Sequence, residues 1–229
     1  MSKTYLITID GIDKIGKTTQ INLLEKHFID NHTTVFSTRS IGGPTKESVE
    51  YFTQLKELIF NSCLPKDVEE IFFACSSFLN LRMISNLQKE NKYKYIIQDR
   101  GMFSHIAYGL AKGNNRNNLE YFYKEVCYYM NYCIYNPINI CLLPNTFDWY
   151  EKRLLELQTF NTEYHNRIEK LEFQKKVYKN MIKEYNLSYT NSSKFIKRKQ
   201  SHILFVKQDD NLLDIQRKIL NIIEKTEKQ

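Results

Sequence analysis

The 229-residue chain lacks any hydrophobic run near the 18 to 20 residues a membrane span requires. Its first strand-like stretch, Tyr5 to Ile9, is too short for a signal-peptide core and carries no cleavage site. With 7 Gly and 4 Pro the chain is not collagen-like, and 42% hydrophobic against 26% charged residues excludes a long disordered protein. The cysteines, Cys63, Cys75, Cys127, Cys133 and Cys141, are odd in number and show no CxxC spacing. Neither a disulfide framework nor a zinc site is supported, and these thiols are expected in the core of a cytoplasmic protein. A net charge of +7 suggests an anionic partner without choosing among nucleic acid, membrane and nucleotide.

Five short β-branched or aromatic runs read as strands: Thr4 to Asp10, Thr33 to Arg39, Tyr93 to Asp99, Ile138 to Leu143 and His202 to Lys207. Between them, helical apolar spacing marks Thr18 to Phe28, Val49 to Phe60, Val68 to Gln88, Leu119 to Tyr135, Trp149 to Leu157, Ile168 to Tyr185 and Leu212 to Lys225. Alternation of this kind predicts an α/β fold, a five-stranded parallel sheet with helices on both faces, in a single domain over 1–229. Turn chemistry agrees at Ser40 to Pro44, Gly113 to Asn115 and Asn136-Pro137. The polar stretch Asn186 to Gln200, with its basic run Lys197-Arg198-Lys199, reads as a surface insertion.

Directly after the first strand, Gly11-Ile12-Asp13-Lys14-Ile15-Gly16-Lys17-Thr18 fits G-x-x-x-x-G-K-[ST] and runs into a helical pattern at Thr19. Such a loop turns successive backbone N–H groups inward on phosphate oxygens, and the following helix N-terminus adds its positive end. Lys17 is placed to reach the β and γ phosphates of ATP and Thr18 to ligate Mg²⁺. The loop alone does not choose a reaction. No Asn-Lys-x-Asp base reader is present, which disfavours a GTPase, and the chain is short for a motor or helicase; a small kinase fits. At the end of the third strand, Asp99 can assist Mg²⁺ and Arg100 can clamp a phosphate.

Taken in order, these pieces resemble the thymidylate kinase family of phosphate-loop nucleoside monophosphate kinases. The block from Ile9 to Gln20 is similar to F-E-G-x-D-x-x-G-K-[ST]-T-Q, Thr38-Arg39-Ser40-Ile41-Gly42-Gly43 to T-R-E-P-G-G, and Asp99 to Tyr108 to D-R-Y/H-x-x-S-x-x-A-Y/F. The resemblance implies that Gly11, Asp13, Lys14, Ile15, Gly16, Lys17, Thr18 and Thr19 bind ATP, with Lys14 where some members carry a catalytic Arg. It implies that Asp13, Arg39, Phe73, Ser77, Arg100, Ser104, His105 and Tyr108 contact the acceptor nucleotide, and that Thr18 and Asp99 serve the metal. Arg153 and Arg167 fall in the lid, about 150–170, so that Lys17, Lys14, Arg100, Arg153 and Arg167 are the expected catalytic set. A homodimer follows from the family; a membrane does not, and nucleic acid is disfavoured because the aromatic residues interleaved with Lys and Arg have core spacing.

The departures gather at the base. The family's Arg four residues after the stacking Phe is absent, since Phe73 leads to Ser77; Gly101 replaces an aromatic or His, His105 a small residue, and Ser40 a Glu. These changes imply transfer to a deoxypyrimidine monophosphate, dTMP or else dUMP or a 5-modified dUMP. A bias towards Asn, Lys, Ile and Tyr fits an AT-rich phage or viral genome. A deoxynucleoside kinase and a non-catalytic nucleotide-binding protein of the same fold are the rivals.

Overall fold

A computed structural model of the chain describes residues 3–40, 65–157, 164–189 and 201–228, with isolated positions 50, 54 and 57. Five strands, β1 (Tyr5–Gly11), β2 (Val35–Arg39), β3 (Tyr95–Asp99), β4 (Pro137–Pro144) and β5 (Ser201–Val206), form one sheet in the order β2-β3-β1-β4-β5. Every pairing is parallel. All residues of β1 and β4 are buried, as mostly apolar strands covered on both faces require, Thr8, Asp10 and Asn139 included. Ile7, Ile9, Ile140 and Leu142 are wholly inaccessible, each contributing about 2 kcal/mol by transfer from water.

Helices α1 (Lys17–Asp30), α2 (Lys66–Glu90), α3 (Met102–Ala111), α4 (Arg116–Phe122), α5 (Lys124–Tyr128), α6 (Phe147–Leu157), α7 (Tyr164–Tyr189) and α8 (Leu212–Glu227) cover the sheet. Phe28 of α1 stacks on Tyr95 of β3 at 4.1 Å. Helix α8 starts at an Asn211 cap whose side chain accepts from the Leu213 and Asp214 N–H groups. Its apolar stripe of Ile215, Ile219 and Ile223 is buried. Among the described residues, no helix is long and apolar enough to cross a membrane.

The five predicted strands are present within one or two residues, and the helices differ in three places. The continuous helix expected over Leu119 to Tyr135 is broken at Tyr123 and ends in a π turn, Tyr129–Cys133. That break sinks the Tyr123 ring into the core, where its hydroxyl donates to Glu70 at 3.2 Å. Asn186 to Tyr189, expected to begin the polar insertion, complete the last turn of α7, because a formed helix propagates through weak formers cheaply. Helix α3 had no periodic signal at all. Residues 190–200, Ile41 to Gly43 and most of the expected helix at Val49 to Phe60 lie outside the described residues, as does Cys63. Of the other thiols only Cys141 is buried; α2 turns Cys75 outward beside Ile71 and Leu79, and Cys127 and Cys133 are half-buried, correcting the expectation of core cysteines.

Candidate active site

Parallel register brings the carboxyl ends of β2, β3 and β1 level. Arg39 pairs with Asp99 across β2 and β3, and Asp99 with Ile9 across β3 and β1. Open α/β sheets bind ligands at this edge. The chain leaves β1 through Gly11, where φ is +145° and an added Cβ would lie 2.4 Å from the Leu142 carbonyl oxygen. Only glycine allows that turn beside β4. The loop then winds through Lys14 at φ 60° to Gly16 at φ 105°, the N-cap of α1, while Thr18 and Thr19 stay exposed and Ile15 anchors the loop in the core. A non-glycine residue in the left-handed region is a strained position held by its surroundings.

Lys17 is buried, and its Nζ donates to the Ile12 carbonyl at 2.7 Å. Burial and the nearby Arg100 push its pKa down to about 8, against the pull of Asp13, Asp99 and Asp10. Arg100, in the left-handed region at φ 65°, donates to the Gly11 carbonyl at 3.2 Å and is ion-paired with Asp13. Burial opposes the Arg100 charge, yet Tyr108, Asp13 and Asp99 hold its pKa above the ordinary value. Burial likewise acts against the Asp13 carboxylate, and Arg100 and Lys17 outweigh it, so the carboxyl titrates below its usual range.

Asp13 is also the point where helices α3, α6 and α7 reach the loop. Tyr108 of α3 donates to its carboxylate at 2.9 Å, and Gln174 of α7 both donates to the carboxylate at 2.9 Å and accepts from the Asp13 N–H at 3.1 Å. Tyr150 of α6 donates to the Asp13 carbonyl at 2.6 Å. Arg153, one turn on, is exposed and near enough to bear on the Tyr150 hydroxyl. Arg167 belongs to α7, whose described side chains begin at Glu169. Gln174 and Tyr150 had no signal in the sequence, because a lone Gln or Tyr on a helix matches no pattern.

Below the loop, Asp10 is fully buried at the end of β1. It accepts from the Gly101 N–H at 2.9 Å, the Ser104 N–H at 3.2 Å, the Ser104 hydroxyl and the Tyr185 hydroxyl at 3.0 Å. Burial raises its pKa against these bonds. The Ser104 hydroxyl, expected at the acceptor nucleotide, is thus committed to Asp10. Gly101 has a packing reason too: a Cβ there would lie 2.4 Å from Thr8 Cγ2 and 3.3 Å from Asp10 Oδ2. Its departure from the family pattern answers to Thr8 rather than to the base.

On the other flank, Phe73 is buried on α2 with the Lys112 ammonium 5.0 Å from its ring centre. Its ring lies 6.2 Å from that of His105, which stacks on Tyr123 at 6.0 Å. Ser77, one turn after Phe73, is buried, and its hydroxyl has no partner among the described residues. Arg39 is exposed at the end of β2.

Asp99 Oδ1 is buried with no hydrogen-bond partner among the described residues, an acceptor near Lys17 and Arg100. No cluster of three or more metal-ligating side chains exists among the described residues. One spare carboxylate oxygen together with the exposed Thr18 hydroxyl suits a Mg²⁺ whose remaining positions are water and phosphate oxygens.

Fold and loop together define a phosphate-loop protein built on the nucleoside monophosphate kinase fold. The family model described as thymidylate kinase matches residues 9–209, and the chain belongs to that family. It is 33% identical over 104 residues to the thymidylate kinase of Nautilia profundicola, a match covering 45% of this chain and 48% of that one. To the thymidylate kinase of Sulfurimonas denitrificans it is 32% identical over 108 residues, 47% of this chain. The chain spans about half the length of these two relatives. A probable thymidylate kinase of Methanococcus maripaludis is 27% identical over 192 residues, 83% of this chain and 80% of the relative. The crystal structure of thymidylate kinase from Ehrlichia chaffeensis superposes with a TM-score of 0.63 over 97% of this chain and 99% of that one, at 19% identity.

Proposed function

We propose that the chain is an ATP-dependent kinase for deoxypyrimidine monophosphates, taking dTMP, and dUMP or a 5-substituted dUMP as alternative acceptors. The observation that carries this reading is that Arg39 and Arg100 end β2 and follow β3 at the same edge of the sheet, with Arg100 bonded to the Gly11 carbonyl of the phosphate loop: two cations beyond the donor-phosphate lysine, suited to an acceptor that is itself an anion. A nucleoside acceptor would instead need a carboxylate free to take a hydroxyl proton. Asp13 is tied to Arg100, Tyr108 and Gln174 with its pKa held low, Asp10 is buried under four donated bonds, and the spare oxygen of Asp99 is the one suited to Mg²⁺, so none of the three serves as that base.

In the reaction an oxygen of the acceptor phosphate attacks the γ-phosphorus in line. A P–O bond forms there as the bond from that phosphorus to the β-γ bridging oxygen breaks, and ADP leaves with the electron pair. No proton needs to move, because the acceptor dianion is already a nucleophile. Catalysis then rests on position and charge. Lys17 exchanges its bond to the Ile12 carbonyl for β and γ phosphate oxygens, Lys14 adds charge from the loop, and Arg100 and Arg39 hold the acceptor. Thr18 and Asp99 would hold Mg²⁺, which when bound offsets charge on the β and γ phosphates. Arg153 and Arg167, within a lid at about 150–170, close over the transferring group and exclude water, and Gln174 links that movement to Asp13. Phe73 supplies a face for the base and Tyr108 lies under the sugar.

A homodimer goes with this reading. Ile71, Cys75 and Leu79 form an exposed stripe along α2, with the exposed Tyr128 and Tyr132 on the following helical segment; sedimentation should give about twice the 27.4 kDa chain mass.

The test is ADP release from ATP·Mg²⁺ against dTMP, dUMP, 5-hydroxymethyl-dUMP, UMP and thymidine. Turnover of a deoxypyrimidine monophosphate is the expected result. Activity on thymidine alone would replace this reading with that of a nucleoside kinase.

A further inference from the structure

Near Phe73 lie buried neutral groups that can each donate or accept. His105 Nε2 lies 3.0 Å from Ser40 Oγ, and this is the hydrogen bond the ring makes among the described residues. Burial, with Arg100 and Lys112 adding to it, pushes the His105 pKa down to about 3, so the imidazole is neutral at any working pH. Ser76 on α2 donates to the Ser40 carbonyl at 3.5 Å, which ties the end of β2 to the helix carrying Phe73 and Ser77. The Ser77 hydroxyl, buried and with no partner among the described residues, is on the same face of α2 as Phe73. The cations that bear on this ring, Arg100 and Lys112, are each ion-paired, Arg100 with Asp13 and Lys112 with Glu69.

A neutral imidazole carries one proton on two nitrogens, and a hydroxyl both donates and accepts. When Ser40 donates to Nε2, the proton of His105 sits on Nδ1 and that nitrogen is a donor. When Nε2–H donates to Ser40, Nδ1 is an acceptor. The two arrangements keep the same heavy-atom contact and the same charge. Pyrimidines differ in this respect at one edge: thymine and uracil offer an N3–H donor and an O4 acceptor, cytosine an N3 acceptor and an amino donor at C4. A fixed cation is donor-only and would reject the cytosine edge.

We propose that Ser40, His105 and Ser77 form a base reader of exchangeable polarity, so that dCMP is accepted alongside dTMP and dUMP. The inference rests on the kinase reading above and names its acceptor class more widely. It is tested on the full chain by kcat/KM for dTMP, dUMP and dCMP, together with calorimetric Kd values for the same three nucleotides without ATP. The expected result is dCMP within about tenfold of dTMP in both measurements. His105→Phe, which removes both polarities, should raise KM for dTMP and dCMP together by about tenfold and leave kcat nearly unchanged. If dTMP turns over and dCMP is worse by about a thousandfold or more, the reader is of fixed polarity and this proposal falls while the kinase reading stands. A one-sided loss in His105→Phe overturns it equally. If no monophosphate turns over, the kinase reading falls, and the calorimetry still decides: comparable Kd values for dTMP and dCMP sustain the reader, and a preference of about a thousandfold or no binding removes it.

Discussion

The two flanks of the cleft solve different problems with different chemistry. At the phosphate loop Lys17, Arg100 and Asp13 are charged, Arg100 is paired with Asp13, and Tyr108, Tyr150 and Gln174 brace Asp13 from three helices. Around Phe73 the buried polar groups are hydroxyls and a neutral imidazole, and the nearby charges are paired with one another. Strong fields stabilise a charge that the chemistry always places in the same spot. Recognition of a base edge rests instead on donors and acceptors whose loss or mismatch is costly. The contrast explains why departures from the family pattern can gather on one flank without touching the other.

The sharpest way to break the comparison is Lys17→Ala. Phosphoryl transfer should fall by at least about a thousandfold, roughly 4 kcal/mol, with the thermal unfolding midpoint retained. The retained midpoint follows from the sign of the pKa shift: folding lowers this pKa, so the buried ammonium costs stability below about pH 8, and the cost is relieved as pH rises towards 10.5. Appreciable turnover in this variant would remove Lys17 from the site.

Asp10→Ala tests the support beneath the phosphate flank. Orphaning the Gly101 and Ser104 N–H groups and the Tyr185 hydroxyl should cost about 3 kcal/mol in urea unfolding. A change below about 1 kcal/mol would show that Asp10 is not the tie between β1, α3 and α7.

On the base flank, Ser77→Arg installs a fixed donor. With far-UV circular dichroism showing a folded chain, the kcat/KM ratio of dTMP to dCMP should rise by about a hundredfold, near 2.7 kcal/mol; an unchanged ratio would place Ser77 away from the base.

Gly101→Ala should destabilise by about 2 kcal/mol through the Thr8 methyl contact, and Thr8→Ser should restore most of it, since it deletes the colliding Cγ2. Failure of that rescue would return Gly101 to the base pocket.

The smallest effect is on pH. Polyphosphate binding favours charged Lys17, whose pKa is about 8 in the free protein, so ADP·Mg²⁺ affinity should be level below that pH and about tenfold weaker at pH 9 than at pH 7. A flat profile over that interval would mean that Lys17 is charged throughout.

How far the sequence reaches divides along physical lines. The strands and the phosphate loop were legible because they depend on local features, short runs rich in β-branched and aromatic residues and glycines at required positive φ. Helix α3 was not, because eight of its ten residues are buried and a helix apolar on nearly every side has no 3.6-residue contrast to detect. The roles of Asp10, Gln174 and Tyr150 were equally hidden. Each acts through a partner far away in the chain, such as Tyr185 for Asp10 and Gln174 for Asp13. Ser104 shows the converse: a motif marks the position, and only the fold reveals that its hydroxyl faces inward to Asp10.

The strand order has a consequence for how the molecule is made. β1 is synthesised before the other strands yet sits in the middle of the sheet, with neighbours that begin at Tyr95 and Pro137. At roughly 5 to 20 residues per second on the ribosome, Leu6, Ile7 and Ile9 wait on the order of ten seconds before β4 emerges to cover them. The phosphate loop at the end of that strand therefore cannot be assembled early. Its shape depends on Leu142 beside Gly11 and on Gln174 and Tyr185, so nascent chains gain nucleotide affinity late and need protection from aggregation until then.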